Sequence, residues 1–144
     1  MKRKASALWQ GTGLEGKGSL TSTSKVLDNT PYSFQTRFVN EDGKQGTNPE
    51  ELIAAAHAGC YSMALSFALS NAGFTPESLD TQAIVEIEKG DNGFSITHIT
   101  LRLNGKVSGI SPEQFTYLAE GAKANCPVSK ALSAVPISLD IHLG

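Results

Sequence analysis

The stretch TNPEELIAAAHAGC, residues 47–60, decides the fold of this chain because it predicts the start of one long helix. Asn48 can cap the first free N–H groups, and Pro49 has no N–H to lose at the first helical position. Glu51 stands three residues after the cap, where a capping box places its acid. No Asp, Glu, Lys or Arg occurs in residues 52–76. We therefore expect a long buried helix that begins at Pro49.

Cys60 lies near the middle of this helix, which Gly73 is expected to end. Five residues share its face of the helix: Ala56, His57, Met63, Ala64 and Phe67. Such a mostly apolar face raises the pKa of a thiol. Free cysteine is among the most buried residue types, so a thiol that merely packs is the simplest interpretation. A reactive Cys60 needs a cation from elsewhere in the protein.

The overall composition limits the possible functions. The chain has 144 residues, 12 basic and 14 acidic residues, and a formal net charge of −2. This length suits a single domain over residues 1–144. The charge balance gives no general attraction to phosphate backbones, and no basic run carries interleaved aromatic residues. We therefore expect no nucleic-acid partner.

The cellular location follows from the absence of targeting signals. Residues 2–4 are basic, but Gly11 and Gly13 arrive before any apolar segment forms, so we expect no secretion signal. The long helix has membrane length, yet its serines, His57 and Asn71 and its lack of flanking basic residues favour a buried soluble helix. We expect a cytoplasmic protein without a membrane partner. Cysteines there are more often reduced or redox-active than joined in structural disulfides.

Alternating apolar residues and turn signals predict the strands. They fall at 5–10, 19–26, 32–39, 81–88, 94–107 and 137–143, with loops at 41–46 and 76–80. The turn at 89–93 predicts a hairpin, and the one-sided alternation in 94–107 favours antiparallel pairing. Arg37 falls on the polar face of the third strand, opposite its aromatic face, where an arginine is usually just solvated.

Two further helices are predicted near the C-terminal end. Ser111 and Pro112 begin a helix that runs to about Ala122. Pro127 then suits the first position of a short helix, which places Cys126 at its N-terminus. The helix dipole there favours a thiolate.

Metal ligands are not indicated by the spacing of the histidines and cysteines. Cys60 and Cys126 are far apart in the sequence, and the histidines stand singly at 57, 98 and 142. Zinc sites usually show closely spaced ligand pairs. We therefore expect no metal site.

Three segments stand in one order along the chain: GTNPEEL at 46–52, AAAHAGC at 54–60 and CPVS at 126–129. Together they closely resemble the OsmC/Ohr family and, within it, the osmotically inducible OsmC branch. Residues 32–38 and the turn after Ile87 are similar to the same branch, so the resemblance covers nearly the whole chain. It implies an α+β fold in which antiparallel sheets wrap around a long central helix and a second helix, in an intertwined homodimer.

The resemblance also implies a function. It is that of a thiol-dependent peroxidase that reduces organic hydroperoxides to alcohols without a cofactor, in oxidative and osmotic stress defence. Cys60 matches the peroxidatic cysteine and Cys126 the resolving cysteine. Arg37 matches the cation that stabilises the thiolate, and Glu50 the acid that orients this arginine. The Cys60 sulfenic acid would condense with Cys126 to a disulfide that an external dithiol reduces.

The position of Glu50 relative to Cys60 suggests that two chains build each site. The two residues are ten positions apart, which is about 15 Å along one straight helix. A helix so poor in charge can also be buried against its symmetry mate in a two-fold dimer. We therefore expect Arg37 and Glu50 of one chain to serve Cys60 and Cys126 of the other.

Two alternatives remain open at this stage. One is a non-catalytic, stress-induced protein that binds hydrophobic ligands and whose thiols are incidental. The other is a thiol hydrolase that uses Cys60 as its nucleophile, with His57 or His98 as the base. His57 precedes Cys60 by three residues and can contact it, although a helical histidine is more often solvated or capping.

Overall fold

The computed structural model describes residues 1–40, 42, 44 and 46–144. It divides into two compact units, Met1–Leu52 and Ile53–Gly144. The single domain expected over 1–144 stays a prediction. The loop predicted over 41–46 lies in part outside the described residues, since these omit residues 41, 43 and 45.

The first unit contains a three-stranded antiparallel sheet in the order β1-β2-β3. Its strands are β1 Ala5–Gln10, β2 Lys17–Ser22 and β3 Thr30–Tyr32. The prediction for β1 is confirmed, whereas the strand predicted at 19–26 is shifted. Lys25 has a φ of 64°, a left-handed conformation that a strand does not allow, so β2 ends before it.

The strand predicted over 32–39 is wrong beyond β3. A π-helical turn follows at Gln35–Val39. Ser33 and Thr36 exchange hydrogen bonds, because each hydroxyl accepts from the backbone N–H of the other residue, at 2.8 and 3.2 Å. Local bonds of this kind compete with strand pairing. The aromatic side chains of Phe34 and Phe38 then pack four residues apart, with ring centroids 5.0 Å apart.

The long helix α1 spans Pro49–Asn71, as predicted. The side-chain oxygen of Asn48 accepts from the N–H of Glu51 at 2.8 Å, which confirms the cap. The Glu51 carboxylate accepts the Thr47 hydroxyl at 2.6 Å. Gly73 has a φ of 89° and ends the helix in a Schellman arrangement, in which its own N–H and the next one bond back to the last turn.

Only one face of α1 is fully buried. Tyr61, Leu65 and Leu69 recur every four residues and have no exposed surface. On the opposite side Met63 and Phe67 are 64% and 66% exposed. The helix is long and apolar enough to cross a membrane by length and composition, and its buried face packs into the core of the second unit.

The second unit contains a three-stranded sheet in the order β4-β5-β6. Its strands are β4 Pro76–Gly90, β5 Gly93–Val107 and β6 Ile137–Leu143. β4 and β5 form the predicted antiparallel hairpin, closed between Gly90 and Gly93. The loop predicted over 76–80 is wrong because β4 already begins at Pro76. A proline is tolerated at the first residue of a strand, and the register shifts just after it.

β6 pairs parallel to β5, so antiparallel pairing is wrong for this edge of the sheet. Parallel neighbours need a crossover connection, which is usually helical. Here it consists of α2, Pro112–Asn125, and α3, Pro127–Ala131. The Ser111 hydroxyl accepts from the N–H of Gln114 at 3.2 Å and confirms the predicted start of α2. The architecture is therefore α+β, as predicted.

The core of the second unit lies between α1, α2 and one face of the sheet. Its fully buried members include Tyr61, Leu65, Leu101, Phe115 and Ala119. Gly105 in β5 faces the ring of Phe115 so closely that a Cβ at this position would collide with the ring. The crossover helices and α1 are thus packed tightly on the same sheet, and they bring the two cysteines together.

Candidate active site

The two cysteines meet in the second unit. Cys60 comes from the middle of α1, and Cys126 is the residue that caps the N-terminus of α3, as predicted. Their sulfur atoms lie 2.9 Å apart although the residues are 66 positions apart in the sequence. Both are free thiols; Cys60 is half-buried, whereas Cys126 has no exposed surface. The fold therefore produces an adjacent thiol pair of which one member is reachable from outside.

The acidity of the two thiols differs. Burial raises the pKa of Cys60, and the hydrogen bond with Cys126 raises it further. Together they outweigh the N–H of Val128, which lowers this pKa. Burial also raises the pKa of Cys126, but the hydrogen bond with Cys60 and the N–H and hydroxyl of Ser129 outweigh burial and lower it. In the structure the Cys126 thiol donates its hydrogen to the Cys60 sulfur. The lowered pKa of Cys126 and the raised pKa of Cys60 favour the opposite arrangement, in which Cys60 carries the proton. Within this unit Cys126 is the more acidic thiol.

His57 and Ser129 form a buried pair beside the thiols. The Nε2 of His57 lies 2.8 Å from the Ser129 hydroxyl oxygen, and the His57 side chain is 0% exposed. Burial lowers the pKa of His57, so the imidazole is neutral at pH 7. The sequence analysis placed His57 next to Cys60 but did not single out Ser129. The only signal for it was its place in the CPVS segment.

Arg37 and Glu50 are paired within the first unit. The Arg37 Nη2 lies 2.6 Å from one carboxylate oxygen of Glu50, and its Nε lies 3.2 Å from both oxygens. The guanidinium carbon also lies 4.8 Å from the ring centroid of Phe38. Glu50 is nearly buried and Arg37 about one-third exposed. Such a forked contact fixes the plane of the guanidinium and leaves Nη1 outside the pairing.

The placement of Arg37 differs from the sequence-based expectation in one respect. It projects from the π-helical turn Gln35–Val39 instead of from the polar face of a strand. Single π-helical turns are frequent at functional sites. The expected partnership of Glu50 with Arg37 is present, and their role toward Cys60 stays a prediction.

His98, the other candidate base, is hydrogen-bonded within the sheet of the second unit. The Nε2 of His98 in β5 lies 2.8 Å from the hydroxyl oxygen of Ser138 in β6. Within residues 1–40, 42, 44 and 46–144, no three His, Cys, Asp or Glu side chains are grouped to hold a metal ion.

Comparison with known proteins identifies relatives of the whole chain. Residues 41–140 match the family described as OsmC-like protein. The chain is 50% identical over 141 residues to peroxiredoxin OsmC of Escherichia coli strain K12, covering 98% of this chain and 96% of that protein. It is 32% identical over 115 residues to the organic hydroperoxide resistance protein OhrB of Bacillus subtilis strain 168, covering 79% and 80% of the two chains.

Solved structures of similar proteins share the fold of this chain. The crystal structure of OhrB from Bacillus subtilis aligns with a TM-score of 0.71 at 26% identity and covers 98% of each chain. An organic hydroperoxide resistance protein from Elizabethkingia anophelis aligns with a TM-score of 0.74 at 23% identity, over 100% of this chain and 99% of that one, which supports the fold alone. The chain therefore belongs to the OsmC-like family, as its three sequence segments predicted.

Proposed function

We propose that this chain is a thiol-dependent peroxidase that reduces organic hydroperoxides to alcohols. The observation that carries the proposal is the pair of free cysteine sulfurs 2.9 Å apart. The likeness to a peroxiredoxin and to organic hydroperoxide resistance proteins supports the same activity. An organic hydroperoxide is therefore the oxidising substrate, and a thiol reductant completes the cycle.

Access assigns the first step to Cys60, because Cys126 has no exposed surface. The Cys60 thiol gives up its proton, and the thiolate attacks the distal oxygen of the hydroperoxide. The O–O bond breaks, and the leaving alkoxide takes up an equivalent proton and departs as the alcohol. Cys60 is then a sulfenic acid. Cys126 attacks this sulfur, the S–O bond breaks, and water leaves as the disulfide forms. An external dithiol reduces the disulfide by thiol exchange and restores both thiols.

The thiolate of Cys60 requires a cation, since burial and Cys126 both raise its pKa. Arg37 offers a permanent charge and several N–H donors, which suit both a thiolate and a peroxide oxygen. Glu50 holds the guanidinium plane by its forked contact. We assign Arg37 the stabilisation of the Cys60 thiolate and Glu50 the orientation of Arg37.

The site is assembled in a homodimer in this proposal. Met63 and Phe67 are large apolar residues on the exposed side of α1. A contiguous apolar face of this kind suits a two-fold interface, in which the same surface is used by both chains. Arg37 and Glu50 of one chain then serve Cys60 and Cys126 of its partner.

The cellular setting in this proposal is the cytoplasm, where the protein contributes to oxidative and osmotic stress defence. Thiols stay reduced there and a dithiol reductant is at hand. Neither nucleic acid nor a membrane is a partner.

Mass spectrometry before and after one equivalent of cumene hydroperoxide tests the activity. The wild-type chain should lose about 2 Da as the disulfide forms, and Cys126→Ser should gain about 16 Da as the sulfenic acid accumulates. Cys60→Ser should keep its mass under the same treatment. Unchanged wild-type thiols would instead indicate the ligand-binding alternative. An acyl adduct on Cys60 after incubation with a thioester would indicate the hydrolase.

Mixing two inactive variants tests the assembly across chains. Cys60→Ser and Arg37→Ala chains are unfolded and refolded together in equal amounts. If each site uses two chains, one site of every mixed dimer keeps both groups, and about a quarter of wild-type activity returns. Absence of activity in the refolded mixture, with wild-type protein recovering under the same protocol, would contradict the assembly across chains.

A further inference from the structure

The buried His57–Ser129 pair has no part in the chemistry described so far. It joins α1 to α3 through a 2.8 Å contact between Nε2 and the hydroxyl oxygen. Both residues are buried, and His57 is completely so. Burying a polar group is costly unless it is hydrogen-bonded, so this contact needs a defined arrangement of hydrogens.

The hydrogen on His57 can be assigned from its second nitrogen. In the part of the chain that the structure describes, Nδ1 is buried without a hydrogen-bond partner. A neutral imidazole has one N–H donor and one acceptor nitrogen. Buried donors without a partner are rarer than acceptors without one. The hydrogen therefore lies on Nε2, and His57 donates to Ser129.

This arrangement fixes the direction of the Ser129 hydroxyl. Its oxygen accepts from His57, so its single hydrogen is available to another acceptor. Ser129 is the third residue of α3 and Cys126 is its N-cap, so both lie in the first turn of this helix. The hydroxyl and the N–H of Ser129 lower the pKa of Cys126. The imidazole, Ser129 and the Cys126 sulfur that contacts Cys60 therefore follow one another in space.

We propose that His57 and Ser129 are positioning residues for the resolving step, in which Ser129, held by His57, stabilises the Cys126 sulfur as it attacks the Cys60 sulfenic acid. The inference rests on the proposed peroxidase function. In this step a bond forms between the two sulfurs and the S–O bond of Cys60 breaks. The proton from Cys126 leaves with the hydroxyl group as water, the Cys126 sulfur is oxidised, and the sulfenic sulfur is reduced. Neither His57 nor Ser129 gains or loses a proton overall.

Rapid acid quenching after one equivalent of tert-butyl hydroperoxide, followed by mass spectrometry, separates the two steps. The sulfenic acid and the disulfide differ from the thiol form by about +16 and −2 Da, so both rates are read from one time course. In Ser129→Ala and His57→Met, the ratio of the second rate to the first should fall about tenfold or more, the effect expected of losing a hydrogen bond to an anionic group. His57→Gln keeps an N–H donor near the position of Nε2 and should restore most of the ratio.

A matched control is available in the same unit. His98 and Ser138 form a pair with the same 2.8 Å spacing between Nε2 and the hydroxyl oxygen, in β5 and β6. Ser138→Ala should keep the wild-type ratio of the two rates. A wild-type ratio in Ser129→Ala, or an equal fall in Ser138→Ala, would overturn the inference.

A second measurement does not depend on activity. Nitrogen-15 NMR of the wild-type protein should show neutral His57 with its hydrogen on Nε2, and Ser129→Ala should shift that resonance. A hydrogen on Nδ1 would reverse the bond to Ser129 and overturn the inference. If the wild-type protein forms neither sulfenic acid nor disulfide, the proposed peroxidase function is contradicted, and the resolving role with it. If the wild-type protein forms both but the variants resolve the sulfenic acid normally, only the role of His57 and Ser129 is contradicted.

Discussion

Oxidation of the thiol pair should stabilise the folded chain by an amount that follows from its position in the sequence. A disulfide between Cys60 and Cys126 closes a loop with a sequence separation of 66 residues. Loop closure of this length removes enough entropy from the unfolded chain to contribute about 4 kcal/mol at 25 °C. The sulfurs are 2.9 Å apart and need to approach by only about 0.9 Å to reach bonding distance. Forming the bond therefore requires little movement in the folded state, and strain offsets little of the gain in stability.

Urea unfolding of the reduced and the stoichiometrically oxidised protein measures this difference, at equal protein concentration. The gain of about 4 kcal/mol corresponds to roughly 10–15 °C in the melting temperature of a chain of this size. Cys126→Ser, treated with the same hydroperoxide, is the control and should show no such gain. Equal midpoints for reduced and oxidised wild type would refute the loop-closure reasoning. A covalently linked pair of chains on a non-reducing gel would refute the intrachain disulfide.

The remaining predictions concern the roles of the thiols, the cation and the core. Cys60→Ser should abolish hydroperoxide consumption, whereas Cys126→Ser should consume about one equivalent and then stop, as measured by residual peroxide. Equal loss of the first turnover in both variants would contradict the assignment of Cys60 as the attacking thiol and Cys126 as the resolving thiol. Arg37→Met should raise the pKa of Cys60 and move the pH profile of its alkylation rate to higher pH, and an unchanged profile would leave Arg37 without a role. Gly105→Ala should destabilise the protein by about 1–3 kcal/mol in urea unfolding, because the added methyl collides with an aromatic ring of the core. Gly121→Ala, in open space on α2, is the matched control and should be neutral or slightly stabilising.

Local signals predicted those elements whose cause is local. The cap at Asn48 and the stop at Gly73 define α1 by hydrogen bonds within a few residues of each end. The two-residue hairpin closed by Gly90 and Gly93 is likewise a property of its own turn. Both predictions were confirmed because no distant partner is needed to specify them.

The errors arose where two structures share one pattern. Aromatic residues at positions 34 and 38 fit a strand of period two, but they also fit a helical turn with contacts four residues apart. The hydrogen bonds exchanged by Ser33 and Thr36 decide for the turn. The parallel pairing of β6 is a different case, because its alternation shows a buried face without showing which neighbour or direction it will meet.

The site was predictable only in its residue types. The three family segments indicated Cys60, Cys126 and Glu50, and the resemblance of residues 32–38 indicated Arg37; the structure brings these four residues together as two pairs. The contact between thiols so far apart in sequence depends on the crossover between β5 and β6, which no local pattern encodes. His57 and Ser129 stand in different segments, so their pairing also required the fold.

The acidity and the accessibility of the two thiols are opposed, and in the proposed cycle this opposition assigns one step to each thiol. Cys126 has the lowered pKa but no exposed surface, whereas Cys60 is reachable and has the raised pKa. In the proposed cycle a peroxide therefore meets the less acidic sulfur first, and Arg37 is the cation proposed to make it a thiolate. Once Cys60 carries the sulfenic acid in this proposal, the acidic Cys126 is the suitable nucleophile for it, because it is in contact with Cys60 and has no exposed surface. The lower pKa of Cys126 thus favours the second step without making this residue the site of the first.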